Sequence, residues 1–403
     1  MEHICGCFKR FKSGKQPKER QVYSSPPVPW LPNERPRPLT AIASSPAATA
    51  DSAFFQRLPA EIRHCILVEA FGERTLHVDL RREYPLKKDG GIVNTRPERH
   101  ANAQLFHPSL RDETQPREWT WWSCVCHRRS PSSDFRPHPP GVGLRSEEPA
   151  LDRCREPSGL PPYSCELYPG NLPDKCFIGV RGWLLACRQA YIEGIHVLYS
   201  TNRFHIANIE FAYSLPELLP PQHVATIREV ELSCDFDAAS HPASHEPFPW
   251  YTHGASYDKF WQGGGLALLG RLPQVFPNLG YMYLSLEDIL CTRDPPWPIG
   301  GREMYEATEE FLQSIDAVIR RMSRLQECRV ALPSTLYSTL KLVDKGRDID
   351  WHRGNHFEPE TMWRSLPITD ESTDLAAGHR PISGYWIVHG REDVDPPPMP
   401  EVV

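Results

Sequence analysis

The sequence predicts an α+β protein in which helices pack on a small α/β layer, with a long disordered N-terminus and a proline-rich insertion. Three observations predict it. Amphipathic helical runs and short alternating apolar runs follow one another from residue 54 to about residue 343. The 42 prolines crowd into residues 26–46, 131–173, 216–221, 242–249, 295–298 and 396–400. Such stretches cannot bury enough apolar surface to offset chain entropy and read as linkers, loops or disorder. The 403 residues would suit two or three domains by length, but the proline-rich stretches leave one composite folded domain at 53–345. It carries an insertion at about 81–179 and lies between segment 1–52 and a mostly irregular segment 346–403.

Composition excludes several classes. A net charge of −6 argues against a general nucleic-acid binder, which shows a basic face. No apolar run is long enough to span a bilayer, and the charged N-terminus lacks the apolar core of a signal peptide. The 12 cysteines are scattered, so they read as reduced thiols of a cytosolic or nuclear protein.

Along the chain, residues 1–20, "MEHICGCFKRFKSGKQPKER", are basic. Cys5 and Cys7 beside this cluster are candidate acylation sites, and lipid plus charge would supply the two signals of stable peripheral membrane anchoring. A plain basic tail is the alternative. Residues 21–52 form a Pro/Ser/Ala linker, in which "RPRPL" is a spacer or a polyproline ligand.

At 54–71, "FFQRLPAEIRHCILVEAF", the helix signals agree. Pro59 suits the first turn, Glu61 favours the dipole, and Gly72 ends the run. Leu58, Ile62, Ile66 and Ala70 recur every four residues as an apolar stripe. "TLHVDL" (75–80) alternates as a strand, "EWTWWSCVCHR" (118–128) is rich in β-favouring aromatics, and the two would pair as a hairpin around 81–117. After a loop at 129–179, Leu184, Cys187, Tyr191, Ile195 and Leu198 mark an amphipathic helix, and Phe204 and Ile206 alternate around His205 as a short strand.

The remainder alternates strand and helix. "TIREVELSC" (226–234), "NLGYMYLSL" (278–286) and "LQECRVALP" (325–333) read as strands. "LALLGRLPQVF" (266–276) reads as a helix broken by Pro273. Residues 303–325 are the strongest helix, with Tyr305, Phe311, Leu312, Ile315, Ile319 and Met322 on one face. This order implies parallel strands and right-handed crossovers. The spacing of roughly 50 residues exceeds that of a true leucine-rich repeat, so the layer is leucine-rich-repeat-like rather than a solenoid. "STLYSTLKLV" (334–343) is a last helix and "GYWIVHG" (384–390) a stray strand.

Few groups point to chemistry. Cys124, Cys126 and His127 are adjacent, with Cys154, Cys165 and Cys176 following. Thiolates plus imidazole favour zinc, which would hold down a loop without its own core. The Cys-x-Cys-His spacing departs from the usual pairs, and metal-free thiols are the plainer reading. There is no G-x-S-x-G, H-E-x-x-H or P-loop, and "QGGGLALLGR" (262–271) has no leading strand. The chain therefore reads as non-enzymatic, with no cofactor. Trp119, Trp121 and Trp122, and the aromatics of 250–261, serve as core or as a recognition surface.

"FQRLPAEIRHCIL" and "WLLACRQAYIEGIHVLYSTNRFHI", with "LLPPQHVATIREVELSCDF", "LPQVFPNLGYMYLSL" and "WWSCVCHR", resemble the F-box-like domain of a large uncharacterised family of fungal proteins, a domain of unknown function. The resemblance covers about residues 53–345. In true F-boxes such helices bind the Skp-type linker of a cullin ubiquitin ligase. The resemblance thus implies partner contacts through Leu58, Pro59, Ile62 and Ile66 on the first helix, and Leu184, Leu185, Cys187 and Tyr191 on the later one. A true F-box is continuous, whereas here more than a hundred residues separate the two parts. The expected function is a protein-interaction module, as a ligase adaptor or as a scaffold without ligase binding, with an unrecognised enzyme as the third class. Exposure of the 58–66 stripe would favour the adaptor.

Overall fold

The computed structural model describes residues 29–32, 49, 52–85, 87, 111–128, 149, 152, 170–171, 174–207, 209–235, 269–287, 302–343, 351–352, 361–366 and 382–390. Cys5, Cys7, Cys154, Cys165 and segment 262–268 lie outside them. The fold is mixed α/β, built on one mostly parallel sheet, and no helix among the described residues is long and apolar enough to cross a membrane.

The strands are β1 (Thr75–Glu83), β2 (Glu118–Val125), β3 (Arg203–Ile206), β4 (Glu229–Asp235), β5 (Tyr281–Glu287), β6 (Glu327–Leu332), β7 (Trp351–His352), β8 (Thr361–Ser365) and β9 (Gly384–His389). Their order in the sheet is β2-β1-β3-β4-β5-β6-β9-β8-β7. The expected β1–β2 hairpin forms, antiparallel from Leu76↔Val125 to Glu83↔Glu118. From β1 through β3, β4, β5 and β6 to β9 every pairing is parallel.

Strand alternation gives the sheet two unlike faces. Phe204, Val230, Met282 and Cys328 line up across one face, and Ile206, Leu232, Leu284 and Val330 in the row beside them. All belong to the main apolar core. The helices α1 to α9 are Ala53–Arg57, Ala60–Phe71, Arg181–Leu184, Arg188–Ser200, Ile209–Leu218, Pro221–Val224, Leu272–Val275, Arg302–Arg320 and Ser334–Val343, and those from α5 onwards cover this face. Phe211 and Leu215 of α5, Leu272 of α7, Phe311 and Ile315 of α8 and Leu336 of α9 join the same core, as apolar area leaving water requires.

The helix read over 266–276 is interrupted as expected: Leu269 is helical, residues 270–271 turn, and Pro273 sits in the first turn of α7, where its missing N–H costs nothing. Other local expectations change. Pro216, expected in a loop, lies inside α5, a helix held by its buried Phe211, Leu215 and Leu218. "GYWIVHG" is not a stray strand: β9 pairs with β6 on one side and β8 on the other, so the sheet runs past residue 345. This end is fastened by Arg364, which donates to Glu309 at 2.7 Å and Asp316 at 2.9 Å; Asp316 also accepts from Tyr385 Oη at 2.8 Å.

The N-terminal helices join the sheet through Asn202. Its buried side chain donates to Phe71 O at 2.9 Å and Leu198 O at 3.0 Å, and accepts from Arg74 N at 2.9 Å. One amide thus closes the ends of α2 and α4 and the approach to β1. Gly72 is not left-handed as a C-terminal glycine often is; its φ is −94°. It is needed for space, since a Cβ there would lie 2.9 Å from Val68 Cα and 2.7 Å from Thr201 Oγ1.

Asn202→Ala leaves three backbone groups without their partner and is expected to cost about 3 kcal/mol, at roughly 1 kcal/mol for each. Urea unfolding of the full chain measures this, and a loss under about 1 kcal/mol would show that water replaces the amide.

Candidate functional site

Two regions stand out, one buried and one exposed. The buried one lies on the sheet face opposite the helices. The positions between the apolar pairs fall in one row: Cys124↔His77↔His205↔Glu231↔Tyr283↔Arg329↔Trp386. His77, His205 and Glu231, neighbours on β1, β3 and β4, are all buried.

Burying such groups requires pairing. Arg128, just beyond β2, donates 2.8 Å bonds to both oxygens of Glu231 and a 2.9 Å bond to Asp152 Oδ2. His205 Nδ1 lies 3.1 Å from Glu231 Oε2. Cys126 Sγ donates to Asp152 Oδ2 at 3.0 Å, and His77 Nε2 stands 3.2 Å from the same oxygen. In the neighbouring row Arg203 pairs with Glu229 at 2.7 Å and lies over the Tyr281 ring.

Electrostatics divides the two imidazoles. Burial opposes a charge on His77, but the Asp152 carboxylate and Cys126 sulfur outweigh it and raise its pKa to about 9. Burial holds His205 down at about 4 against the pull of its Glu231 bond, and the His77 charge lowers it further. The rings are 4.6 Å apart, so protonating both would be costly and His77 takes the proton. Burial would raise Glu231, yet Arg128 and His205 bring it to about 2. Asp152 is likewise held well below the carboxylate range against its burial, chiefly by His77.

His77, Asp152 and His205 each offer a ligand atom, and these atoms lie within 4.8 Å of one another. The structure therefore gathers a different donor set from the adjacent Cys124, Cys126 and His127 of the sequence. Cys124 faces His77 across the hairpin, Cys126 meets Asp152, and His127 is buried beside them in the chain. Strand position was the available signal: "LHV", "FHI" and "VEL" each place a polar residue between two apolar ones. Asp152 and Arg128 gave no such signal.

The exposed region is the surface of the N-terminal helices. α2 buries Leu67 and Phe71 against Val197 of α4, and Arg63 donates to Glu193 at 2.6 Å and to Leu58 O at 2.6 Å. The Leu58/Ile62/Ile66/Ala70 stripe points the other way: Ile62 is 48% exposed and Ile66 43%. Pro59 is also exposed, Leu58 partly buried. On the later segment Leu185 is 73% exposed, whereas Leu184 and Tyr191 are partly buried, Tyr191 with its hydroxyl 3.3 Å from His223. Cys187 is not within a helix; it is the N-cap of α4, its sulfur accepting from Ala190 N. Ala190 and Gly194 are the buried residues of this helix, with Val197.

A family model described as Domain of unknown function (DUF7730) matches residues 165–268. The match spans α3 to α6 with β3 and β4, and so includes His205 and Glu231; His77, Arg128 and Asp152 precede it. No curated protein and no solved structure matches the chain.

Two outcomes are expected of the buried cluster. Arg128→Met leaves Asp152 and Glu231 without their shared cation and should cost about 3–5 kcal/mol in denaturant unfolding. Stability of the metal-free chain should also peak near pH 6.5. Below it, His205, held at about 4 against an ordinary 6.5, makes the unfolded chain bind the extra proton, and stability falls from pH 6.5 towards 4. Glu231, at about 2 against 4.5, adds a loss from about pH 4.5 downwards. Above the peak, the contribution of His77 is complete below 6.5 and disappears as pH rises towards about 9. Urea midpoints at pH 4.5, 6.5 and 9 test this, and a flat profile between 4.5 and 9 contradicts it.

Proposed function

We propose that the chain is a non-enzymatic protein-interaction module, a substrate-recruiting adaptor whose F-box-like helices dock on the Skp-type linker of a cullin ubiquitin ligase. The observation that carries this reading is the outward-facing stripe of α2. Ile62 and Ile66 stand in solvent while the same helix buries Leu67 and Phe71. A β-branched apolar pair one turn apart, with exposed Leu185 and Ile192 on the associated helical unit, supplies the anchors that a helix-borne docking face would use. The Arg63–Glu193 pair ties the helix to α4.

The body suits the recruiting half of such a protein. β3, β4, β5 and β6 follow one another in chain order across the sheet, all parallel, with their helices on one face. This supports the leucine-rich-repeat-like reading of the layer. The long insertions outside the described residues are the places where target recognition would reside.

The test is co-purification of the full chain with the Skp-type linker, alongside Ile62→Asp/Ile66→Asp. Both positions are exposed, so the double variant should unfold within about 1 kcal/mol of wild type, at roughly 0.5 kcal/mol per surface site. Binding should fall at least tenfold. If folded wild type does not bind the linker, or the variant binds equally well, the adaptor reading is wrong.

A further inference from the structure

We infer that His77, Asp152 and His205 form a buried zinc site that clasps the inserted segment onto the sheet. The inference is independent of the docking face. His77 and His205 are register partners on adjacent parallel strands, so two imidazoles are set side by side by the most rigid part of the fold. Asp152 comes from the insertion, and the three ligand atoms lie within 4.8 Å of one another.

A second observation points to a ligand. His77 is wholly buried, yet neither ring nitrogen makes an aligned hydrogen bond. Its Nε2 lies 3.2 Å from Asp152 Oδ2 without hydrogen-bond alignment. Two ligands at about 2.0–2.1 Å from one tetrahedral zinc stand roughly 3.3 Å apart. The 3.2 Å ion pair also has the spacing of two ligands on one coordination shell, and a bound ion would take the place of the proton they now share. His205 has the complementary arrangement: with Nδ1 on Glu231, its lone pair is on Nε2. A carboxylate that orients a histidine in this way is the usual outer partner of a zinc ligand.

The donor chemistry narrows the metal. Two imidazoles and one carboxylate suit a divalent transition metal, zinc being the redox-inert one, and are poor for magnesium or calcium, which take oxygen shells. Cys126 Sγ lies 3.0 Å from the Asp152 carboxylate but is not among the converging ligand atoms, so the fourth position would be left to water. Arg128 neutralises Glu231 through its two bonds, and the Asp152 carboxylate offsets part of the Zn2+ charge. Binding would displace the proton on His77, so affinity should rise with pH.

The test uses the full chain, stripped with chelator and titrated with zinc chloride, with metal content by mass spectrometry and unfolding temperature as readouts. One zinc per chain and a raised unfolding temperature are expected. His77→Gln and His205→Gln should each weaken binding by at least about 100-fold, while His196→Gln, on the exposed side of α4, should not. X-ray absorption of the zinc-loaded wild type identifies the ligand shell even where the variants fail to fold: scattering from two imidazoles supports the site. Absence of zinc uptake, unchanged affinity in the His77 and His205 variants, or an all-sulfur shell would each overturn it.

Discussion

A strand turns alternate side chains to opposite faces, and in this sheet the parallel register keeps that alternation in phase from β1 to β6. Everything else follows from the phase. The apolar set faces the helices and forms one continuous core. The other set is forced into a single row, whatever its chemistry, so His77, His205 and Glu231 become neighbours although more than 150 residues separate the first from the last. A one-residue slip of β3 would exchange Phe204 and His205 between faces. The core and the polar cluster are two results of one constraint.

The polar row is tolerated because Arg128 stands over it. Its planar fork addresses both oxygens of Glu231 and reaches Asp152 as well, geometry that a lysine would not reproduce. The N-terminal helices obey a different logic. α4 is shared: Ala190, Gly194 and Val197 are its buried residues, with Val197 in the cluster that includes Leu67 and Phe71 of α2, while Leu198 and Tyr199 pack against the main core. Gly194 permits the close approach of Trp183, whose ring would lie 2.6 Å from a Cβ. Because α4 divides its surface between the sheet and α2, α2 has contacts on one side only, and its Ile62/Ile66 side is left to solvent.

Most of the elements were legible in the sequence, since each carries a local signal. Strands β1 and β3 to β6 and the α8 face with Phe311, Leu312, Ile315 and Ile319 follow from periodicity, and β2 from its aromatic composition. What periodicity does not specify is which side of an element is covered. The Leu58/Ile62/Ile66 stripe is as regular as the buried set of α8, yet its two isoleucines face water, because burial depends on the neighbour. β8 and β9 were hard to read for a related reason: short strands become parts of a sheet only through partners distant in the chain. The buried cluster was half legible. Its histidines and Glu231 sit at alternating strand positions, but Asp152 comes from a loop whose sequence shows no period.

The position of β9 has a consequence for synthesis on the ribosome. β6 is complete at Leu332, but its outer edge is paired only when Gly384 to His389 arrive. Translation at about 5–20 residues per second leaves that edge open for roughly 3–10 s. During that interval Val330, Ala331 and Leu332 offer an unpaired apolar ladder to any other nascent chain. The structure thus contains a timed aggregation hazard at its centre, which is where a ribosome-associated chaperone would be of most use.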